Sequence, residues 1–165
     1  MIADEETHEY FTHLMRDVDT LVFGRKTYEL MVPFWPDVAK NHSAATKAEN
    51  DFAQAFASKQ LVVFSQSLDR AESKNTRIVC TKPRDEILKL KQEQGKNILL
   101  GGVAIPSQLI ELALVDEFHF VVQPIIAGEG RRLLEGVNLQ ERFQLKLVQS
   151  KTFKSGCVGL RYLKQ

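Results

Sequence analysis

The sequence predicts an α/β domain of three layers, α/β/α, with a mixed, mostly parallel sheet that ends in an antiparallel C-terminal hairpin. Three observations carry this. Leu21-Val22-Phe23, Leu61-Val62-Val63-Phe64 and Ile98-Leu99-Leu100 are short runs that are apolar throughout, as in strands covered on both faces. Helical patterns separate these runs. Near the C-terminus, Phe143, Leu145 and Leu147 alternate with polar residues, and so do Val158, Leu160 and Tyr162, on either side of Lys154-Ser155-Gly156. The chain has 165 residues, 44% apolar and 26% charged, which suits a single domain over residues 1–165 with a proper core.

Taken in order, residues 4–17 carry Tyr10, Phe11, Leu14 and Met15 at helical spacing. Asp4, Glu5 and Glu6 open this helix, where acids complement its dipole. A strand over Thr20–Phe23 ends at Gly24, and Arg25–Met31 continues as a helix that Pro33 and Pro36 stop. Residues 37–60 begin as a loop and become a helix through Phe52, Ala53, Ala55 and Phe56. Leu61–Phe64 is the next strand, and Ser65 to Thr76 is polar and turn-rich. Arg77–Cys80 is a further strand; Pro83 opens a helix that Gly95 closes as its C′ residue. The strand Asn97–Leu100 runs into Gly101-Gly102, and a helix follows with Leu109, Ile110, Leu112 and Ala113. Residues 117–123 alternate, with Phe118, Phe120 and Val122 on one face; residues 124–142 form a long irregular connection to the hairpin.

Composition excludes several classes. Lys plus Arg is 22 and Asp plus Glu is 21, so the net charge is 22 − 21 = +1. That balance provides no field for nucleic acid or an anionic membrane, so any bound anion must be held by local geometry. No apolar run approaches the ~18 residues of a membrane helix. The acidic start, Met1-Ile2-Ala3-Asp4-Glu5-Glu6, has no signal-peptide core. Cys80 and Cys157 fit no CxxC or zinc spacing and are read as free thiols. These features place the chain in the cytoplasm.

Two strand–glycine–helix junctions stand out: Phe23-Gly24-Arg25-Lys26-Thr27 and Leu100-Gly101-Gly102-Val103-Ala104. A helix start offers free N–H groups, and glycine lets a phosphate approach the backbone. In a parallel sheet both lie at carboxyl ends of strands, where ligands bind, and together they suit a dinucleotide pyrophosphate. Neither is a complete dinucleotide fingerprint or Walker loop. Gly128-Glu129-Gly130 is followed by Leu133, with no helix opening there. Arg131-Arg132 reads as a surface pair. His8, His13, His42 and His119 form no metal spacing, and His119 reads as a sheet-face histidine. No GxSxG is present. Phe34-Trp35-Pro36, beside the first junction, offers an aromatic wall for a flat ligand.

Leu21-Val22-Phe23-Gly24-Arg25-Lys26-Thr27-Tyr28-Glu29 resembles the strand–G-R-x-T-[WY]-E segment of the dihydrofolate reductase superfamily. Phe34-Trp35-Pro36, Leu61–Ser65, Ile98-Leu99-Leu100-Gly101-Gly102, Leu114-Val115-Asp116-Glu117, Gln123-Pro124 and Gly128-Glu129-Gly130 resemble, in order and spacing, its bacterial branch related to the C-terminal reductase domain of riboflavin biosynthesis. The resemblance runs from about residue 2 to the hairpin. It implies a mixed sheet flanked by helices, and transfer of hydride from NADPH to a small flat heterocycle, pteridine- or pyrimidine-like.

By position, Gly24, Arg25, Lys26 and Thr27 would hold cofactor phosphates. Ser65 and Gln66 would meet the adenosine 2′-phosphate, and Gly101, Gly102, Val103 and Ala104 would follow the pyrophosphate and nicotinamide. The substrate is expected between the first helix, with Tyr10, Phe11 and Leu14, and the Trp35 loop. No proton donor is assigned. A homodimer through the C-terminal strands is expected. Members of the branch open with a central strand carrying an S-L-D-G-x-I-A segment. This sequence opens at Met1-Ile2-Ala3, so the domain is expected to lack that strand here and to have a longer natural start. The alternative is a non-catalytic nucleotide-binding or interaction protein that keeps the scaffold.

Overall fold

The computed structural model describes residues 4–71, 73–130, 132–134, 137, 139 and 142–165. The chain begins with α1 (Glu5–Leu14), a 3₁₀ turn (Met15–Asp17), β1 (Val18–Gly24), α2 (Arg25–Met31), α3 (Trp35–Asn41) and α4 (Lys47–Ala57). It continues with β2 (Gln60–Phe64), β3 (Thr76–Val79), α5 (Pro83–Gln92), β4 (Asn97–Leu100), α6 (Ala104–Glu111), β5 (Glu117–Val122), β6 (Leu145–Thr152) and β7 (Val158–Lys164).

The strands form two sheets. One is wholly parallel in the order β3-β2-β1-β4; the other is antiparallel in the order β5-β7-β6. Both predicted halves are therefore present, but among the described residues no ladder joins β4 to β5. Among the described residues each of these two strands has one edge free of strand pairing.

Burial explains the all-apolar strands. Leu21, Phe23, Leu61 and Val63 point into one cluster with Tyr28, Val32, Phe52 and Phe56, under α1, α2 and α4. Val22, Val62 and Phe64 point the other way, onto Ile87 of α5 and Ile105 and Leu109 of α6. Successive strand residues alternate between faces, so both faces must be apolar. Fully burying such a side chain contributes ~1.5–3 kcal/mol. In β4, Ile98, Leu99 and Leu100 pack into these same clusters but stay half-buried, with no strand among the described residues on one flank.

Helix α1 straddles the two sheets. Phe11 packs on the first cluster. The Tyr10 ring contacts Phe153 and would meet a Cβ at Gly159 of β7 at 3.5 Å. At the helix start, Asp4 caps Thr7 N at 2.8 Å and is hydrogen-bonded by Ser155 of the hairpin turn.

Three local expectations are corrected. Residues 37–41 are helical, not loop: α3 runs Trp35–Asn41, and Pro36 lies in its first turn, where a missing N–H costs nothing. Pro36 thus starts a helix rather than stopping one. Gly95 is not a left-handed C′ residue; α5 ends at an extended Glu93. Gly95 instead makes room for Asp19, whose Oδ2 would lie 2.6 Å from a Cβ there. The left-handed residue after α6 is Ala113, at φ 56°. No helix among the described residues is long and apolar enough to cross a membrane.

Candidate functional site

The four-stranded sheet changes direction at β1. From β1 the chain steps to β2 and β3 on one side, then returns to place β4 on the other. Such a switch opens a crevice outside the carboxyl ends of the two strands, because their following helices leave on opposite faces. Here α2 carries Tyr28 into one cluster, and α6 carries Ile105 and Leu109 into the other.

Both predicted glycine junctions flank that crevice and touch each other. Gly101 N donates to Val22 O at 3.0 Å, extending the β1–β4 pairing by one step. A Cβ at Gly101 would lie 2.3 Å from Phe23 Cε1, so only glycine lets the chain cross there. Gly102 has φ +85°, and a Cβ on it would lie 2.4 Å from Thr27 Oγ1. Gly24 is the extended N-cap of α2, without a side-chain cap, and a Cβ there would lie 3.5 Å from Ile105 Cγ1. Val103 is the N-cap of α6, likewise uncapped by a side chain, and Ala104 is its first residue. Lys26 is exposed.

Arg25 is held in place. Its Nε donates to Glu29 Oε1 at 2.6 Å and its Nη1 to Ser67 Oγ at 2.6 Å. Ser65, 8% exposed, uses its Oγ to accept from Ser67 N and Leu68 N, at 3.2 and 3.0 Å. A shallow cleft of about 200 Å³ opens beside it at the carboxyl ends of β2 and β3, lined by Ser65, exposed Gln66, Cys80 and Thr81. The Cys80 thiol donates to Ser65 O at 3.1 Å. The predicted cofactor residues thus lie along one edge, from this cleft across Arg25 to Gly102.

The two predicted substrate residues do not face each other. Trp35 packs on His8 and Phe52, with ring centroids 5.7 and 4.6 Å away. Tyr10 lies on another side of α1, against β5 and β7. Two residues apart on a helix means about 200° of rotation, so His8 and Tyr10 cannot share a face. Trp35, partly buried, packs on the first core cluster.

One polar cluster escaped the sequence reading. Tyr10 Oη and His119 Nδ1 are 2.8 Å apart, and His119 Nε2 lies 2.6 Å from Glu117 Oε1. Arg161, opposite His119 in the β5–β7 ladder, donates Nε and Nη2 to the two Glu117 oxygens at 2.7 and 2.9 Å. Arg161, with a smaller contribution from His119, holds the Glu117 carboxyl below its ordinary range. Burial pushes the Tyr10 phenol up, so it stays neutral. Strand alternation places His119 on the face opposite Phe118 and Phe120, as a sheet-face residue turned to α1. Only the register of β5 on β7 reveals its partners.

Among the described residues no three His, Cys, Asp or Glu side chains gather around a possible metal. Gly128 and Gly130 have open space where a Cβ would stand, so no close approach requires glycine. Arg131 lies outside the described residues, and Arg132 is exposed.

The fold defines a dihydrofolate reductase-like α/β domain of the riboflavin-biosynthesis reductase type. The chain belongs to the RibD C-terminal domain family, which it matches over residues 1–158. It is 33% identical over 157 residues to the uncharacterized protein YyaP of Bacillus subtilis (strain 168), covering 92% of this chain and 77% of that one. With the uncharacterized protein YwjB of the same organism it shares 25% identity over 140 residues, 82% of this chain and 70% of the other. Its fold resembles a putative riboflavin biosynthesis protein from Shewanella sp. PV-4, with TM-score 0.69 and 20% identity over 94% of this chain and 78% of that one. It also resembles a pyrimidine reductase-like protein from Corynebacterium diphtheriae, with TM-score 0.66 and 15% identity over 98% and 82%. Acinetobacter baumannii RibD has TM-score 0.71 at 14% identity; all of this chain matches 52% of that longer one.

Proposed function

We propose that this chain binds NADPH across the β1–β4 switch point and reduces a small flat heterocycle, pteridine- or pyrimidine-like. The observation that carries the reading is the contact between the two glycine junctions. Gly102, at φ +85°, leaves its α-carbon bare against Thr27, where any side chain would fill the crevice. A pyrophosphate laid there meets backbone N–H groups at the uncapped starts of α2 and α6. Arg25, already held by Glu29 and Ser67, points a guanidinium along the same edge toward the Ser65–Gln66 cleft, which suits an adenosine phosphate. NADPH would supply the hydride, and the protein would orient it and exclude water. The substrate end is assigned to the space under α1, past β4, with Tyr10 as its border. The half-exposed Leu147 and Val148 on the edge strand β6 support a homodimer through the C-terminal strands. The site belongs to a cytoplasmic metabolic enzyme in this reading.

The test is a titration with NADPH, NADH and ATP, followed by nicotinamide fluorescence and thermal shift. NADPH is expected to bind best, Arg25→Ala to weaken it about tenfold or more, and Gly102→Val to abolish it. An unsubstituted chain that ignores NADPH and NADP would remove the reading.

A further inference from the structure

The Tyr10–His119–Glu117–Arg161 chain lies outside the cofactor crevice, and packing alone does not require it. A phenol, an imidazole and a carboxylate in line, each within 2.9 Å of the next and clamped by a guanidinium, are the components of a proton relay. We propose that Tyr10 is the proton donor of the reduction and that His119, oriented by Glu117 and Arg161, recharges it. This rests on the reductase reading above.

Hydrogen-bond chemistry fixes the direction. Glu117 is ionised and can only accept, so His119 Nε2 carries a hydrogen and donates it to Oε1. In the neutral imidazole, Nδ1 is then the lone pair and takes the Tyr10 hydroxyl hydrogen. In the imidazolium, Nδ1–H donates to Tyr10 Oη instead, and the phenolic hydrogen turns free toward a ligand. Burial keeps the phenol protonated until that moment. The position also fits. Tyr10 comes from the helix that touches both sheets, and His119 stands on β5, the edge strand of the second sheet. The substrate ring would lie against Tyr10, under α1.

The step balances. Hydride reaches a ring carbon of a C=N bond, and the ring nitrogen takes the phenolic hydrogen of Tyr10. As that O–H bond breaks, Oη takes the hydrogen of His119 Nδ1, and His119 is left neutral with Nε2–H still on Glu117. A solvent proton restores the imidazolium. The sum is C=N plus NADPH plus H⁺ giving CH–NH plus NADP⁺. Arg161 and Glu117 are the charged groups that act on Tyr10; among the described residues Glu6 of α1 is held by Lys154 N, and Lys151 of β6 stands over the Phe153 ring that Tyr10 contacts.

Tyr10→Phe tests this while keeping the ring packing on Phe153 and Gly159. NADPH oxidation is followed with dihydrofolate, a quinonoid dihydropteridine and a ribosylaminopyrimidine as probes. For a reduced probe, Tyr10→Phe is expected to bind NADPH normally and keep KM, while kcat drops about 100-fold or more. His119→Gln is expected to lower kcat while NADPH binding and KM stay unchanged. Nitrogen NMR without cofactor is expected to show His119 as the Nε2–H tautomer, with the Nδ1 signal moving in Tyr10→Phe. A kcat of Tyr10→Phe within threefold of the original, or an Nδ1–H tautomer, overturns the relay alone. NADPH binding without reduction of any probe also overturns the relay and leaves the cofactor site standing. A chain that binds no NADPH overturns both.

Discussion

Thr27 and Gly102 are in contact across the β1–β4 crevice, so the residue after one strand limits the backbone after another. A Cβ at position 102 would lie 2.4 Å from Thr27 Oγ1, and the φ of +85° disfavours any L side chain. Gly102→Ala is therefore expected to destabilise the fold by ~1–3 kcal/mol. The two causes separate in a double-mutant cycle. Thr27→Ala removes the clashing oxygen but not the backbone strain, so it should restore part of the loss and never all of it. Urea unfolding of the four proteins measures this; full additivity would show that the two residues do not interact.

Asp19 ties the start of β1 to the turn before β4. Its Oδ2 accepts from Lys96 N at 2.7 Å, and its Oδ1 accepts from Thr20 Oγ1 at 2.9 Å. The Lys96 bond chiefly lowers its pKa from the ordinary 3.8. A depressed carboxylate contributes stability in full above its unfolded pKa, and that contribution is lost as pH falls through the folded value. Thermal melts from neutral pH downward should show an acid loss near and below pH 3.8 that shrinks in Asp19→Asn. Asp19→Asn should also cost ~1 kcal/mol at neutral pH, as one charge-assisted bond weakens.

Glu86 of α5 is buried, its side chain only 7% exposed, and Arg77 of β3 is its ion-pair partner at 2.5 Å. Arg77→Ala strands that carboxylate. With Arg77 itself half exposed, water compensates in part, and the expected cost is ~1–2 kcal/mol. Arg77→Met with Glu86→Leu removes both charges and should be milder than Arg77→Ala alone. Denaturant midpoints decide, and a double variant less stable than the single one would contradict the argument.

Cys80 is exposed in the Ser65–Gln66 cleft, whereas Cys157 is fully buried. A bulky disulfide reagent should therefore modify a single thiol of the native protein, and Cys80→Ser should abolish that reaction. Cys157 should react only in denaturant. NADPH is expected to slow modification of Cys80 severalfold by covering the cleft. An unchanged rate at saturating NADPH would detach this cleft from the proposed cofactor site.

Much of the fold was legible because its signals are local. Leu61-Val62-Val63-Phe64 has no alternation, and the structure buries both of its faces. Val158, Leu160 and Tyr162 alternate, and β7 is antiparallel to both neighbours. Where two rules competed, the sequence misled. Pro36 can stop one helix or start the next, and the packing of Trp35 on His8 and Phe52 favoured the start. Gly95 looked like a helix cap, but Asp19, far away in sequence, explains it. Tyr10 lies on α1, and Trp35 opens α3 and packs on His8 of another side of α1, so the two have different neighbours.

The sequence by itself determined most element types, the two strand–glycine–helix junctions and the family, since these rest on periodicity and contiguous motifs. Tertiary structure alone decided that the strands divide into two sheets and that Gly102 meets Thr27. It also decided that Tyr10, His119, Glu117 and Arg161 form one chain. Those relations depend on strand order and register, which long-range burial selects and no local pattern encodes. Residues 10 and 119 become neighbours because a helix and a strand bury their faces together.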